Sequence, residues 1–68
     1  MVDHVYKTIE IIGTSRNSPE EAIRGAIERA SRTVHNLRWF KVVEMRGNID
    51  GGTVEHWQVS LQIGFTLD

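Results

Sequence analysis

Trp39 and Gln58 are the two side chains of this chain best equipped to hold a flat heteroaromatic ligand. A planar indole offers a stacking surface, and a carboxamide offers one acceptor and two donors along an edge. Their positions suit that chemistry. Trp39 opens the strand-like run Arg38-Trp39-Phe40-Lys41-Val42-Val43-Glu44, in which side chains alternate between two faces. If Phe40 and Val42 face a core, Trp39 and Lys41 face away from it. Gln58 stands in a second run, from Trp57 to Leu67, where every odd position is apolar. Its even positions, Gln58 among them, therefore share the face that a core does not cover. An indole on the outer face of so small a domain must meet either another subunit or a flat ligand. Tryptophan is also a common interface anchor, with Gln58 then ordinary surface, and the residue types alone leave both readings open.

Other chemistries find less support. Ser15, Ser18, Ser31 and Ser60 occur, but none sits in a nucleophile elbow and no Ser-His-acid order is suggested. Gly51-Gly52 reads as a hairpin turn and Gly13-Thr14-Ser15 is too short for a phosphate loop or a dinucleotide fingerprint. An enzyme acting on such a flat ligand would need an acid or base beside the ring, and only His56 and Glu44 are plausible neighbours. The expectation is a binding protein with no catalytic residues.

The elements that position these side chains follow the order β-α-β-β. His4 to Ile12 alternates Val5, Lys7, Ile9 and Ile11 against His4, Tyr6, Thr8 and Glu10, which predicts strand one. Gly13 to Asn17 reads as a loop. Ser18-Pro19-Glu20-Glu21 announces a helix: Ser18 caps, Pro19 takes the first helical position, and Glu21 completes a capping box. Ile23, Ala26, Ile27, Ala30, Val34 and Leu37 recur at three- and four-residue steps and make one apolar stripe. Glu20 to Arg24 and Glu28 to Arg32 are i,i+4 pairs on its solvated face. Strand two runs from Arg38 to Glu44 or beyond, Asn48-Ile49-Asp50-Gly51-Gly52 is a turn, and strand three runs from Val54 to Leu67. The fold class is α+β, an antiparallel three-stranded sheet wrapped around one helix. At about 3.3 Å per residue the long strand extends over roughly 40 Å, whereas a helix of about 17 residues covers about 25 Å. Part of the strand must project past its own helix.

The chain has 68 residues and reads as a single domain over 1–68. A domain of this size buries only about 60% of the surface its unfolded chain exposes. With no cysteines for disulfides or structural zinc, and three histidines too widely spaced for a finger, oligomerisation is the remaining support and no metal site is expected. Eight basic residues against nine acidic ones give no excess for wrapping nucleic acid. No apolar run approaches the roughly 18 residues of a membrane span, and with no basic region followed by an apolar stretch at the start, no signal peptide is expected. The expected location is cytoplasmic.

A resemblance then narrows the reading. Val5-Tyr6-Lys7, Ile12-Gly13-Thr14-Ser15, Thr33 to Val42, Arg46-Gly47 and Gln58 to Phe65 together resemble the dodecins over nearly the whole length. The resemblance implies a hollow homododecamer of cubic symmetry that binds flavins (riboflavin, FMN or lumichrome) in pairs on two-fold axes. It implies that Trp39 stacks on the isoalloxazine, that Gln58 bonds its pyrimidine edge, and that Arg46 reaches the flavin or its phosphate. Arg46 shares parity with Phe40, so it needs a bulge or a strand end to face outward. Trp57 stands where the family pattern leads one to expect tyrosine. The function so implied is storage and buffering of flavin, quenched between symmetry-related indoles. An alternative is a structural or carrier oligomer for another ligand such as coenzyme A, which some dodecins carry, with Arg29, Arg32 and His35 supplying positive charge near the helix end.

Overall fold

The computed structural model describes residues 3–67. Strand β1 spans Tyr6–Ser15, helix α1 Pro19–Ser31, strand β2 Leu37–Asp50 and strand β3 Thr53–Thr66. The three strands form one antiparallel sheet in the order β1-β3-β2, so the longest apolar alternation occupies the centre. The helix lies over β1 and β3. Ala22 of the helix closes on Val59, Leu61 and Ile63 of β3, all buried, with Ile9, Ile11, Ala26 and Ile27 packed around them.

Several boundaries differ from the sequence expectation, two of them at the ends of β1 and the helix. Strand β1 continues through Gly13-Thr14-Ser15, which composition assigned to a loop, because β3 is long enough to pair it as far as Ser15 opposite Trp57. Backbone pairing here overrides turn propensity. The helix is also shorter than its apolar stripe. It closes at Ser31, where Thr33 and Val34 donate their N–H to the carbonyl of Ala30 at 3.2 and 2.9 Å. Asn36 then takes a left-handed conformation, φ 65°, which asparagine tolerates better than most residues. Val34 and Leu37 stay half-buried, so they keep the apolar stripe without being helical.

The helix start follows the capping logic in one direction only. The Ser18 hydroxyl accepts the Glu21 N–H at 3.0 Å. The Glu21 carboxylate turns instead to the Ser15 hydroxyl and the Asn17 amide, at 3.1 and 3.0 Å. The helix entrance is thereby tied to the end of β1. The Glu20–Arg24 and Glu28–Arg32 pairs form at 3.0 and 3.4 Å on the exposed face.

Strands β2 and β3 are joined by Gly51-Gly52 alone. With φ of 59° and 83° these two residues make the mirror-image turn whose twist matches a hairpin. Asn48 and Ile49, expected in the turn, belong to β2.

The anticipated overhang is present. A helix of 13 residues, about 20 Å, faces a central strand of 14, about 46 Å, and the protomer is 55 Å long. Its radius of gyration, 14.2 Å, exceeds the roughly 11 Å of a compact domain of this length. The helix scarcely reaches β2. Phe40, Val42 and Met45 belong to its helix-side face, yet they are 48, 44 and 55% exposed.

Candidate functional site

The face of the sheet turned away from the helix can be read row by row from the register. Gly64 on β3 has Thr8 on one side and Trp39 on the other; Gln62 has Glu10 and Lys41; Ser60 has Ile12 and Glu44; Gln58 has Thr14 and Arg46. Trp39 and Gln58 thus both lie on the uncovered face, as alternation required. Arg46 joins them through the bulge that its parity with Phe40 called for, at a residue the sequence does not mark. The pairing slips between Val42 and Glu44, so Val43 is an extra residue in β2. One such bulge exchanges the two faces for everything after it. Before it Phe40 and Val42 oppose Ile63 and Leu61; after it Met45 opposes Val59, and Arg46 opposes Gln58. Arg46 and Gln58 are therefore directly opposite each other on the uncovered face.

The seat of the indole is a glycine. A Cβ built on Gly64 would overlap Cε2, Cζ2 and Nε1 of Trp39. Cε2 is nearest and its two bonded neighbours are farther, so the ring meets the backbone face-on. The opposite ring face looks outward, and Trp39 stays 40% exposed. Tyr6 meets the indole edge-on at 6.2 Å between centroids, which holds its orientation. Nothing in the tryptophan itself announces this seat. The available signal was Gly64 inside a long strand, where glycine marks a close approach by another group. Replacing Gly64 by alanine is expected to lift the indole off the sheet at a cost of about 1–3 kcal/mol. In a Trp57→Phe background this reads as a red shift of tryptophan emission, and an unmoved spectrum would contradict the seat.

Separation along β3 limits what one protomer can do. Gly64 and Gln58 are six residues apart, about 20 Å in an extended strand. The indole and the carboxamide of a single chain share a face but cannot touch the same tricyclic ring. His56 and Glu44, the two candidate acid-base groups, are not brought together either. Glu44 lies in the row of Ser60, roughly 13 Å along the strand from His56. His56 Nδ1 instead lies 3.1 Å from Glu55, beside an open hollow of about 360 Å³ lined by Thr14, Ser15, Arg16, Glu55 and His56. Trp57 faces the helix side, half-buried, opposite Ser15 and Gly47. Of the cations near the helix end, Arg32 is paired with Glu28. No cluster of three or more histidine, aspartate or glutamate side chains suited to a metal occurs among the described residues. Among them, too, no helix is long and apolar enough to cross a membrane.

The chain is thus a single antiparallel β-α-β-β unit that leaves an indole on its uncovered face. The family model for dodecin matches residues 5–68, and the chain belongs to the dodecin family. It is 45% identical over 64 residues to the dodecin of Thermus thermophilus, covering 94% of this chain and 93% of that one. It is 35% identical over 63 residues to the calcium dodecin of Mycobacterium tuberculosis, covering 93 and 89%. The dodecin structure from Streptomyces davaonensis superimposes with a TM-score of 0.91 at 49% identity, covering 98% of each chain. Members of the family are small oligomeric proteins that bind small ligands rather than enzymes, and flavin binding is known among them.

Proposed function

We propose that this protein binds and buffers free flavin without catalysis, as a cytoplasmic homododecamer. The observation that carries the reading is the indole of Trp39 laid flat over Gly64 with its other face open on the side the helix leaves bare. Stacking against a flavin occupies that face, and a two-fold axis supplies the second indole, so a pair of flavins lies between symmetry mates. The 20 Å or so between the rows of Trp39 and Gln58 makes the site composite. The ring that stacks on one protomer's Trp39 takes its edge contacts from another protomer's Gln58, with Arg46 beside it. The bare apolar residues of β2, Phe40, Val42 and Met45, give such an assembly its driving force, because exposed core-type side chains gain by burial against a copy.

Quenching follows from contact. An electron-rich indole against an excited, electron-poor isoalloxazine donates an electron and takes it back, so emission and photochemistry are suppressed. A ring enclosed by an indole and a second flavin leaves a substrate little access, which suits storage and not turnover. A cation reading, suggested by the mycobacterial relative's name, has no comparable feature within the described residues of one protomer.

Titrating riboflavin with the protein at micromolar concentration tests the reading. Emission is expected to fall to a plateau at one flavin per protomer, and native mass measurement is expected to give a dodecamer carrying paired ligands. Unchanged riboflavin emission across the titration would defeat it.

A further inference from the structure

We infer that Glu44 sets how far the site distinguishes a phosphorylated flavin from an unphosphorylated one, by neutralising Arg46. This rests on the flavin reading above. After the bulge at Val43, Glu44 and Arg46 are two residues apart and project to the same face. Their side chains meet in a two-point contact: Arg46 Nε donates to Oε1 of Glu44 at 3.1 Å and Nη2 to Oε2 at 3.3 Å. This is the fork geometry in which a guanidinium also receives a phosphate. A phosphate arriving at Arg46 therefore meets donors already engaged by a carboxylate, and a pair with no net charge.

Among the described residues of the same protomer, the rows beside Gln58 on the bare face bring up no cation free to replace Arg46. Lys41 lies in the row of Gln62, about 13 Å along the strand. His56, in the next row beyond Gln58, contacts Glu55 at 3.1 Å. Arg16 borders the 360 Å³ hollow together with Glu55 and His56, beyond the end of the β1 ladder. On the protomer that supplies Gln58, the phosphate therefore meets only this engaged guanidinium. The pair is more than half exposed, 62% for Arg46 and 53% for Glu44, so removing the carboxylate frees the guanidinium without burying a charge.

The test compares FMN with riboflavin by fluorescence titration of the assembled protein, unaltered and as Glu44→Gln and Arg46→Ala. The unaltered protein is expected to bind the two within about threefold of each other, as exposed pairs contribute little. Glu44→Gln should raise the FMN-to-riboflavin affinity ratio by about five- to tenfold, through a charge-assisted contact to phosphate that fades as salt is added. Arg46→Ala should lower the ratio below that of the unaltered protein, since the remaining carboxylate repels phosphate. A ratio unmoved by Glu44→Gln, with riboflavin still bound, overturns this inference and leaves the flavin site standing. Failure of the unaltered protein to bind riboflavin overturns the flavin reading and this inference together.

Discussion

Replacing Trp39 by alanine is expected to weaken riboflavin binding by about five- to 150-fold and to leave any flavin that does bind fluorescent. The magnitude comes from stacking, which contributes roughly 1–3 kcal/mol for each base-sized ring on an aromatic platform. The loss of quenching has a separate cause, removal of the electron donor in contact with the ring. Truncation uncovers Gly64 but does not reach the four buried residues of the core, Ala22, Val59, Leu61 and Ile63. Secondary structure by circular dichroism and subunit count by native mass should therefore match the unaltered protein. Trp39→Phe separates the two effects, because a smaller ring still stacks but donates an electron less readily. Unchanged affinity in the alanine variant, with the assembly intact, would mean that the indole is an anchor between subunits and that the ligand lies elsewhere.

Gly13→Ala is expected to be among the most damaging single-methyl additions in the chain. A Cβ at Gly13 would run into the carbonyl oxygen of Ala22 and would approach Ala26 Cβ to 2.9 Å. The first obstacle is helix backbone, which has no rotamer to change, so the helix itself must move away from β1. Overpacking of this kind costs about 1–3 kcal/mol. With a melting shift of roughly 4–8 °C per kcal/mol in a domain this small, the expected drop is about 5–20 °C. Gly25 is the internal control. It lies mid-helix, and an added Cβ there meets nothing within 4 Å. Gly25→Ala should stabilise by about 0.4–1 kcal/mol, since it removes only unfolded-state freedom. If thermal denaturation ranks the two variants the other way, the close contact of helix on β1 is wrong.

Much of the fold is a local property of the chain. The alternation from Trp57 to Leu67 implied a strand with one buried face, and Val59, Leu61 and Ile63 are buried there. Ser18 and Pro19 marked the helix start to the residue. The helix end was misplaced because Val34 and Leu37 keep the apolar spacing after the backbone has turned at Asn36. Periodicity registers which side chains face the core and is blind to the conformation that delivers them. The loop expected at Gly13-Thr14-Ser15 failed for the opposite reason: small and polar residues were recruited by a partner strand far away in sequence.

At the site the division is sharper. That Trp39 and Gln58 share the bare face was determined by the chain alone, because strand alternation is a local property of the backbone. The turn between the long strands was likewise local, set by two glycines able to take positive φ. Three things awaited tertiary structure: the outward turn of Arg46, its coupling to Glu44, and the glycine beneath the indole. Each depends on register, and register is a relation between strands. A single unpaired residue at Val43 reverses every later side chain of β2, and no pattern within β2 itself reveals which residue β3 will leave unmatched.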